Sequence, residues 1–192
     1  MPTWGSLSVL NTSAVTGAVS SGVGRAARAV GAAARSSAFI RNQSILGVAV
    51  YGPAFAAAVT NDDAARVATW LLVAGGTFFG ASEVARDFTI TPAQTTLSSF
   101  GGANGALAGG ALLYALGAEH DGVAAGAFVG GVGGTAAGLL AGRGMTVGQA
   151  RAATLGADVS ALAALGVLGL AGAFDDNGLA PRGRAAVLVG AG

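Results

Sequence analysis

A stripe of glycines spaced four residues apart occupies the middle of the chain. It comprises Gly122, Gly126, Gly130, Gly134, Gly138 and Gly142. On an α-helix this spacing places all of them on one side, where a second helix backbone can approach closely. Segment 122–142 holds eight glycines in all, so in water it would start roughly 8 kcal/mol behind an alanine helix. In lipid, unpaired backbone groups are costly enough to enforce the helix. The stripe therefore predicts a membrane helix with a close partner.

The composition agrees with a membrane protein. Charged residues make up 10% of the 192 residues, against roughly 25% in soluble domains, and the hydrophobic share is 53%. The net charge of +1 provides no field that would attract nucleic acid. Because cysteine is absent, disulfides, thiolate metal sites and thiol catalysis are excluded.

Weakly charged windows of about membrane-spanning length alternate with short charged connectors, and such connectors force neighbouring helices to run antiparallel. The windows are 44–61, 67–82, 98–118, 122–142 and 155–174, with a truncated sixth at 185–192. We therefore expect an all-α fold of antiparallel transmembrane helical hairpins with glycine-zipper packing, made of about five spans plus a truncated sixth. Residues 1–43 form an Arg/Ser/Ala-rich segment, flexible or amphipathic, and 44–192 form the helical membrane domain.

Arginine placement predicts the orientation of this domain. If every window crosses and the N-terminus is cytoplasmic, seven of the ten arginines fall on the cytoplasmic side. They are Arg25, Arg28, Arg35, Arg41, Arg86, Arg143 and Arg151. This asymmetry follows the positive-inside rule, so we expect a cytoplasmic N-terminus.

An internal repeat relates 90–142 to 145–192 with an offset of 55 residues, and the second copy is truncated. Both copies contain Thr-x-x-Gln, at 91–94 and 146–149. This is the spacing of a capping box, in which threonine and glutamine satisfy backbone donors reciprocally. We therefore expect helices to begin directly after Thr91 and Thr146, and we interpret the chain as a fragment of a longer hairpin array.

A second glycine ladder precedes the stripe, at Gly101, Gly105 and Gly109. Together the ladder and the stripe resemble the glycine-zipper two-helix motif of bacterial envelope and membrane proteins, over about residues 98–142. The resemblance implies close helix packing and a bacterial cell membrane or envelope location, and it supplies no catalytic, cofactor-binding or metal-binding residue. The predicted helix-packing residues are Gly101, Gly105, Gly109, Gly122, Gly126, Gly130, Gly134, Gly138 and Gly142.

Few residues offer chemistry. Asp158 is the only acid well inside a window, which makes it a candidate intramembrane polar site on a proton or cation path. The alternative is a carboxylate near the helix mouth, wetted or paired with Arg151. His120 stands between Glu119 and Asp121, but a metal site needs three or four converging ligands, so a solvated turn is the better interpretation.

These features favour a non-enzymatic integral membrane protein, a structural or assembly component packed through GxxxG stripes. With one histidine and neither cysteine nor lysine, we find no nucleophile–base arrangement to support an enzyme. The expected partners are the lipid bilayer and a homo-oligomer, with no cofactor, nucleic acid or small-molecule substrate. One alternative is a channel or transporter subunit formed by oligomerisation. Another is a soluble or surface glycine-rich helical repeat, because Ala/Gly helices are only weakly hydrophobic.

Overall fold

The computed structural model describes residues 36–170, together with isolated positions at 24, 27, 30, 31, 33, 34 and 183. This described part is helical and contains no strand. Helical residues 36–46 continue into a π-helical turn, Gly47–Tyr51, and then into α1. The helices are α1 (Gly52–Val59), α2 (Asp63–Asp87), α3 (Pro92–Ala115), α4 (His120–Ala141) and α5 (Val147–Leu170). The predicted all-α class is confirmed for the described part.

Three of these helices are long and apolar enough to cross a membrane: α2, α4 and α5 over Val147–Val167. The prediction of five spans plus a sixth is therefore wrong for residues 36–170, and window 185–192 lies outside the described part. Window 44–61 overlaps a continuous helical run, 36–59, which the π-turn Gly47–Tyr51 interrupts and which ends where the backbone becomes extended at Thr60. Window 98–118 overlaps α3, which is not among these three helices. The proline, glutamine, threonine, serine and asparagine side chains of α3 lower the mean hydropathy of the helix.

Pro53 accounts for the π-turn. A proline has no N–H and its ring clashes with the carbonyl of a normal α-helical turn. Here the Gly52 N–H donates to the Gly47 carbonyl, five residues back. The next π-type bond would join Pro53 to the carbonyl of Val48, but that carbonyl instead accepts from the Trp70 indole Nε1 at 2.7 Å. Trp70 thus satisfies the group that Pro53 leaves without a donor.

Local capping explains where α3 and α5 begin. Thr91 Oγ1 accepts from the Gln94 N–H at 3.2 Å, and Gln94 Oε1 accepts from the Thr91 N–H at 3.0 Å. Thr146 and Gln149 make the same two bonds, at 3.2 and 2.9 Å. The predicted capping boxes and both helix starts are confirmed.

The chain reverses between α3 and α4 in four residues. Gly117 has φ of +88°, the left-handed conformation that glycine adopts without strain. Its N–H donates to the Tyr114 carbonyl at 3.0 Å, and the next N–H, of Ala118, donates to Leu113 at 2.9 Å. These two bonds form a Schellman motif, which ends α3 and satisfies its last carbonyls.

Among the described helices, α3 and α4 make the most extensive contact. Phe39, before the π-turn, packs with Ala81 of α2 and with Ile90. The first turn of α5 joins α3 through Ala150, which contacts Ala93 and Leu97. Large apolar side chains on the outer surfaces are widely exposed, including Leu72, Leu107, Val129, Leu162 and Leu170.

Candidate functional site: a helix pair joined glycine to glycine

The glycines of α3 and α4 face one another in antiparallel register. The facing pairs are Gly101 with Gly134, Gly105 with Gly130, and Gly109 with Gly126. A Cβ atom built on any member of these pairs would come within 3.0 Å of the carbonyl oxygen of the facing glycine. Real Cβ atoms essentially never approach a neighbour that closely. The two backbones therefore touch without intervening side chains.

The remaining stripe glycines continue or end this contact. A Cβ on Gly138 would meet the backbone of Leu97, and one on Gly142 would meet Gln94. Gly122 differs, because the neighbour at its Cβ position is the side chain of Ala118, in the connector between the two helices. The stripe thus faces α3 from Gly126 onward, while its first member lies at the turn.

A second glycine-lined groove on the same helix pair holds Tyr51. A Cβ on Gly102 would collide with the Tyr51 hydroxyl, and a Cβ on Gly131 would lie 2.7 Å from its ring. Tyr51 is only 4% exposed. The π-turn that carries Tyr51 therefore docks into a socket formed by one glycine from each helix. Sequence reasoning missed this socket, although the doubled glycines at 101–102 and 130–131 signal two adjacent bare faces.

Hydrogen bonds connect this socket to the N-terminal helical residues. The Tyr51 hydroxyl lies 2.5 Å from Thr135 Oγ1 and 3.4 Å from the Gly131 carbonyl oxygen. Thr135 Oγ1 donates to the Ser98 carbonyl at 3.3 Å, and Gln43 Nε2 donates to Ser98 Oγ at 3.4 Å. The geometry fits Tyr51 donating to Thr135 and Thr135 donating to Ser98. Gln43 and Ser98 are buried, and each finds a partner within the protein, as an apolar surrounding requires.

Gln94 links the start of α3 to the end of α4. Besides its capping bonds to Thr91, its Nε2 donates to the Leu139 carbonyl at 3.0 Å. Carbonyls in the last turn of a helix lack an intrahelical donor, so one amide side chain satisfies both helix ends. Gln94 is buried, whereas Gln149, in the other capping box, is exposed.

The two polar residues that the sequence singled out, Asp158 and His120, lie away from the α3–α4 interface. Asp158 is exposed on α5. Within residues 36–170 the ion pairs are Arg66 with Asp63 and Arg86 with Glu83, so Asp158 is not paired with Arg151 there. His120 is exposed at the first position of α4. Within the described part of the chain, no three histidine or acidic side chains come together in a way that could hold a metal ion.

The geometry thus combines a close backbone contact with helices of membrane-crossing length. Three helices of the described part have the length and composition to span a bilayer. Comparisons with protein-family models, curated proteins and solved structures found no match to this chain.

Proposed function

We propose that this chain is a non-enzymatic integral membrane protein with a structural or assembly role. Its α3 and α4 form a transmembrane hairpin, closed as a glycine zipper by GxxxG-type contacts. The observation that carries the proposal is the backbone-to-backbone register from Gly101–Gly134 to Gly109–Gly126. Small-residue interfaces of this kind drive helix association in lipid, where burial of apolar surface gives no net gain.

The outer surface of the pair supports immersion in hydrocarbon. Leu107 on α3 is 72% exposed and Val129 on α4 is 68% exposed. In water these side chains would lose the free energy of apolar burial, at about 25 cal/mol per Å². Helices this rich in glycine are also weak in water. A lipid surrounding removes the first cost and enforces the backbone hydrogen bonds.

The polar side chains of α3 are compatible with a membrane position beside α4. Gln94, Thr95 and Ser98 are buried against the protein. The more exposed Thr96 donates to the Pro92 carbonyl at 3.0 Å, and Asn104 donates to the Phe100 carbonyl at 3.1 Å. Such bonds to the preceding turn reduce the cost of placing a polar group in lipid. Each of these polar side chains of α3 thus makes at least one hydrogen bond within the protein.

The charges support an orientation. The C-terminal ends of α2 and α4 and the start of α5 carry Arg86, Arg143 and Arg151. The opposite ends carry one arginine, Arg66, and four acids, Asp62, Asp63, Glu119 and Asp121. We place the arginine end on the cytoplasmic side. Phe39 packs at this end with Ala81 and Ile90, so the chain enters from the cytoplasm. The bacterial membrane or envelope location rests on the glycine-zipper resemblance.

Topology mapping with single cysteines tests the proposal, because the chain has no cysteine of its own. Glu119→Cys lies in the α3–α4 connector and Met145→Cys in the α4–α5 connector, where Met145 is exposed. We expect a membrane-impermeant maleimide to label them from opposite sides of sealed vesicles. Labelling of both from the same side contradicts the hairpin, and recovery of the chain in a carbonate-washed supernatant contradicts membrane integration.

A further inference from the structure

A cleft opens at the arginine end, between α2, α3 and α4. Its volume is about 550 Å³, within the range of small-molecule sites. Val84 of α2, Gln94 of α3, and Ala136 and Leu140 of α4 line it, together with Arg143 just beyond α4. Of all the residues that line it, only Arg143 is charged. The cleft therefore joins an apolar wall to a single cation.

Within residues 36–170, no acid neutralises Arg143 by an ion pair. Glu83 pairs with Arg86 at 3.1 Å. Asp87 lines a separate hollow of about 160 Å³ together with Arg86, and it does not line the larger cleft. The cleft consequently has a positive charge that suits an anion, and a guanidinium matches the geometry of a phosphate oxygen pair.

The position of the cleft selects the kind of anion. It lies where α2 and α4, both of membrane-crossing length, come to their C-terminal ends. In the proposed orientation this is the headgroup level of the cytoplasmic leaflet, where basic pockets between helices bind anionic lipid headgroups. The apolar wall extends from Leu140 to Ala136, one turn deeper along α4, which is the direction of an acyl chain.

We propose that this cleft binds one anionic phospholipid, with its phosphate on Arg143 and an acyl chain along Ala136 and Leu140. The site rests on the proposed membrane integration. It differs from general attraction to a charged surface, because the phosphate and the acyl chain engage the same cleft.

Native mass spectrometry in a neutral detergent tests this site. The full chain is purified from phosphatidylcholine vesicles that contain a minority of phosphatidylglycerol, and the lipids retained by the protein are counted. A neutral micelle presents no anionic surface, so retention reports the site itself. The variants are Arg143→Gln, which removes the cation, and Ala136→Phe, which fills the apolar part. Arg151→Gln is the matched control, because Arg151 lies at the same end but does not line the cleft.

We expect wild type to retain phosphatidylglycerol in preference to phosphatidylcholine. Loss of a charge-assisted hydrogen bond should lower this preference roughly tenfold in Arg143→Gln. Ala136→Phe should reduce retention of both lipids, and Arg151→Gln should match wild type. Circular dichroism identifies any variant that has lost its helices. Arg143→Lys, which keeps the charge but not the planar guanidinium, should restore part of the preference.

Four results overturn the site. Three are no preference in wild type, equal losses in Arg143→Gln and Arg151→Gln, or full retention in Ala136→Phe. The fourth is displacement of the lipid by soluble glycerol phosphate at matched concentration, which identifies a free phosphate ester as the ligand. If the chain resists carbonate extraction while any of these results is found, the lipid site fails and the membrane proposal stands. If carbonate extracts the chain from the membrane, both the lipid site and the membrane proposal are contradicted.

Discussion

Gly101 on α3 and Gly134 on α4 leave no room for a side chain on either residue. A Cβ on Gly101 would run into the carbonyl oxygen of Gly134, and a Cβ on Gly134 would run into that of Gly101. The obstacle is backbone in both directions, so no rotamer change relieves it. The adjacent residue Gly133 has nothing within 4 Å of its Cβ position. Two neighbouring glycines of one helix thus differ completely in what they tolerate.

Gly134→Ala is expected to lower the free energy of unfolding by about 1–3 kcal/mol, the usual cost of overpacking. The methyl group must push α3 and α4 apart, because both faces of the clash are main chain. Titration with sodium dodecyl sulfate in mixed micelles, followed by circular dichroism, measures this change. Gly133→Ala is the matched control and should be neutral or stabilising by up to about 1 kcal/mol. Equal effects of the two substitutions would contradict the close contact between Gly134 and the backbone of Gly101.

Tyr51→Phe should destabilise the protein by about 0.6–1.7 kcal/mol, in the range measured for hydrogen bonds between membrane helices. The change removes the hydroxyl that bonds Thr135 but keeps the ring in the groove beside Gly131. Tyr51→Ala should cost about 3–5 kcal/mol, because it also empties the socket. The same detergent titration measures both. Tyr114→Phe serves as the control, since Tyr114 is 39% exposed. If Tyr114→Phe lowers the free energy of unfolding as much as Tyr51→Phe, the hydrogen bond in the socket adds no specific stability.

Gln94→Leu should destabilise the protein more than Gln149→Leu. Both substitutions remove the glutamine half of a capping box, the bond from the threonine N–H to the glutamine Oε1, at about 0.5–1.5 kcal/mol. The change at Gln94 also leaves the Leu139 carbonyl without its donor, which adds about 1–3 kcal/mol in a buried setting. Hydrogen exchange should show faster exchange at the end of α4 in Gln94→Leu and normal exchange there in Gln149→Leu. Equal stabilities and unchanged exchange in both variants would rule out the link from Gln94 to α4.

Local patterns in the sequence were sufficient for several parts of this structure. The four-residue spacing of the glycines identified the face that Gly126, Gly130 and Gly134 turn toward α3. The Thr-x-x-Gln pattern located the starts of α3 and α5, because capping depends on residues only three positions apart.

The number of spans and the Tyr51 socket depend on distant contacts and were not predicted. A hydropathy window averages its residues without regard to the side of the helix on which each one lies. Ser98 and its polar neighbours on α3 face the protein. The π-turn arises from Pro53 together with Trp70, which is far along the chain on α2. Only the folded arrangement brings Tyr51 over Gly102 and Gly131. Asp158 was identified from its place in an apolar window, and its role as a polar site stays a prediction.

Cysteine accessibility in the membrane tests most directly whether lipid surrounds the glycine-paired helices. Leu107→Cys and Val129→Cys introduce thiols where the side chains are 72% and 68% exposed from the protein, and Asp121→Cys introduces one at the start of α4. In open membrane fragments, a water-soluble maleimide should label position 121 rapidly. Positions 107 and 129 should stay unlabelled until the membrane is dissolved and the protein denatured. Rapid labelling of both mid-helix positions in intact membranes would mean that water covers these surfaces and would contradict the account.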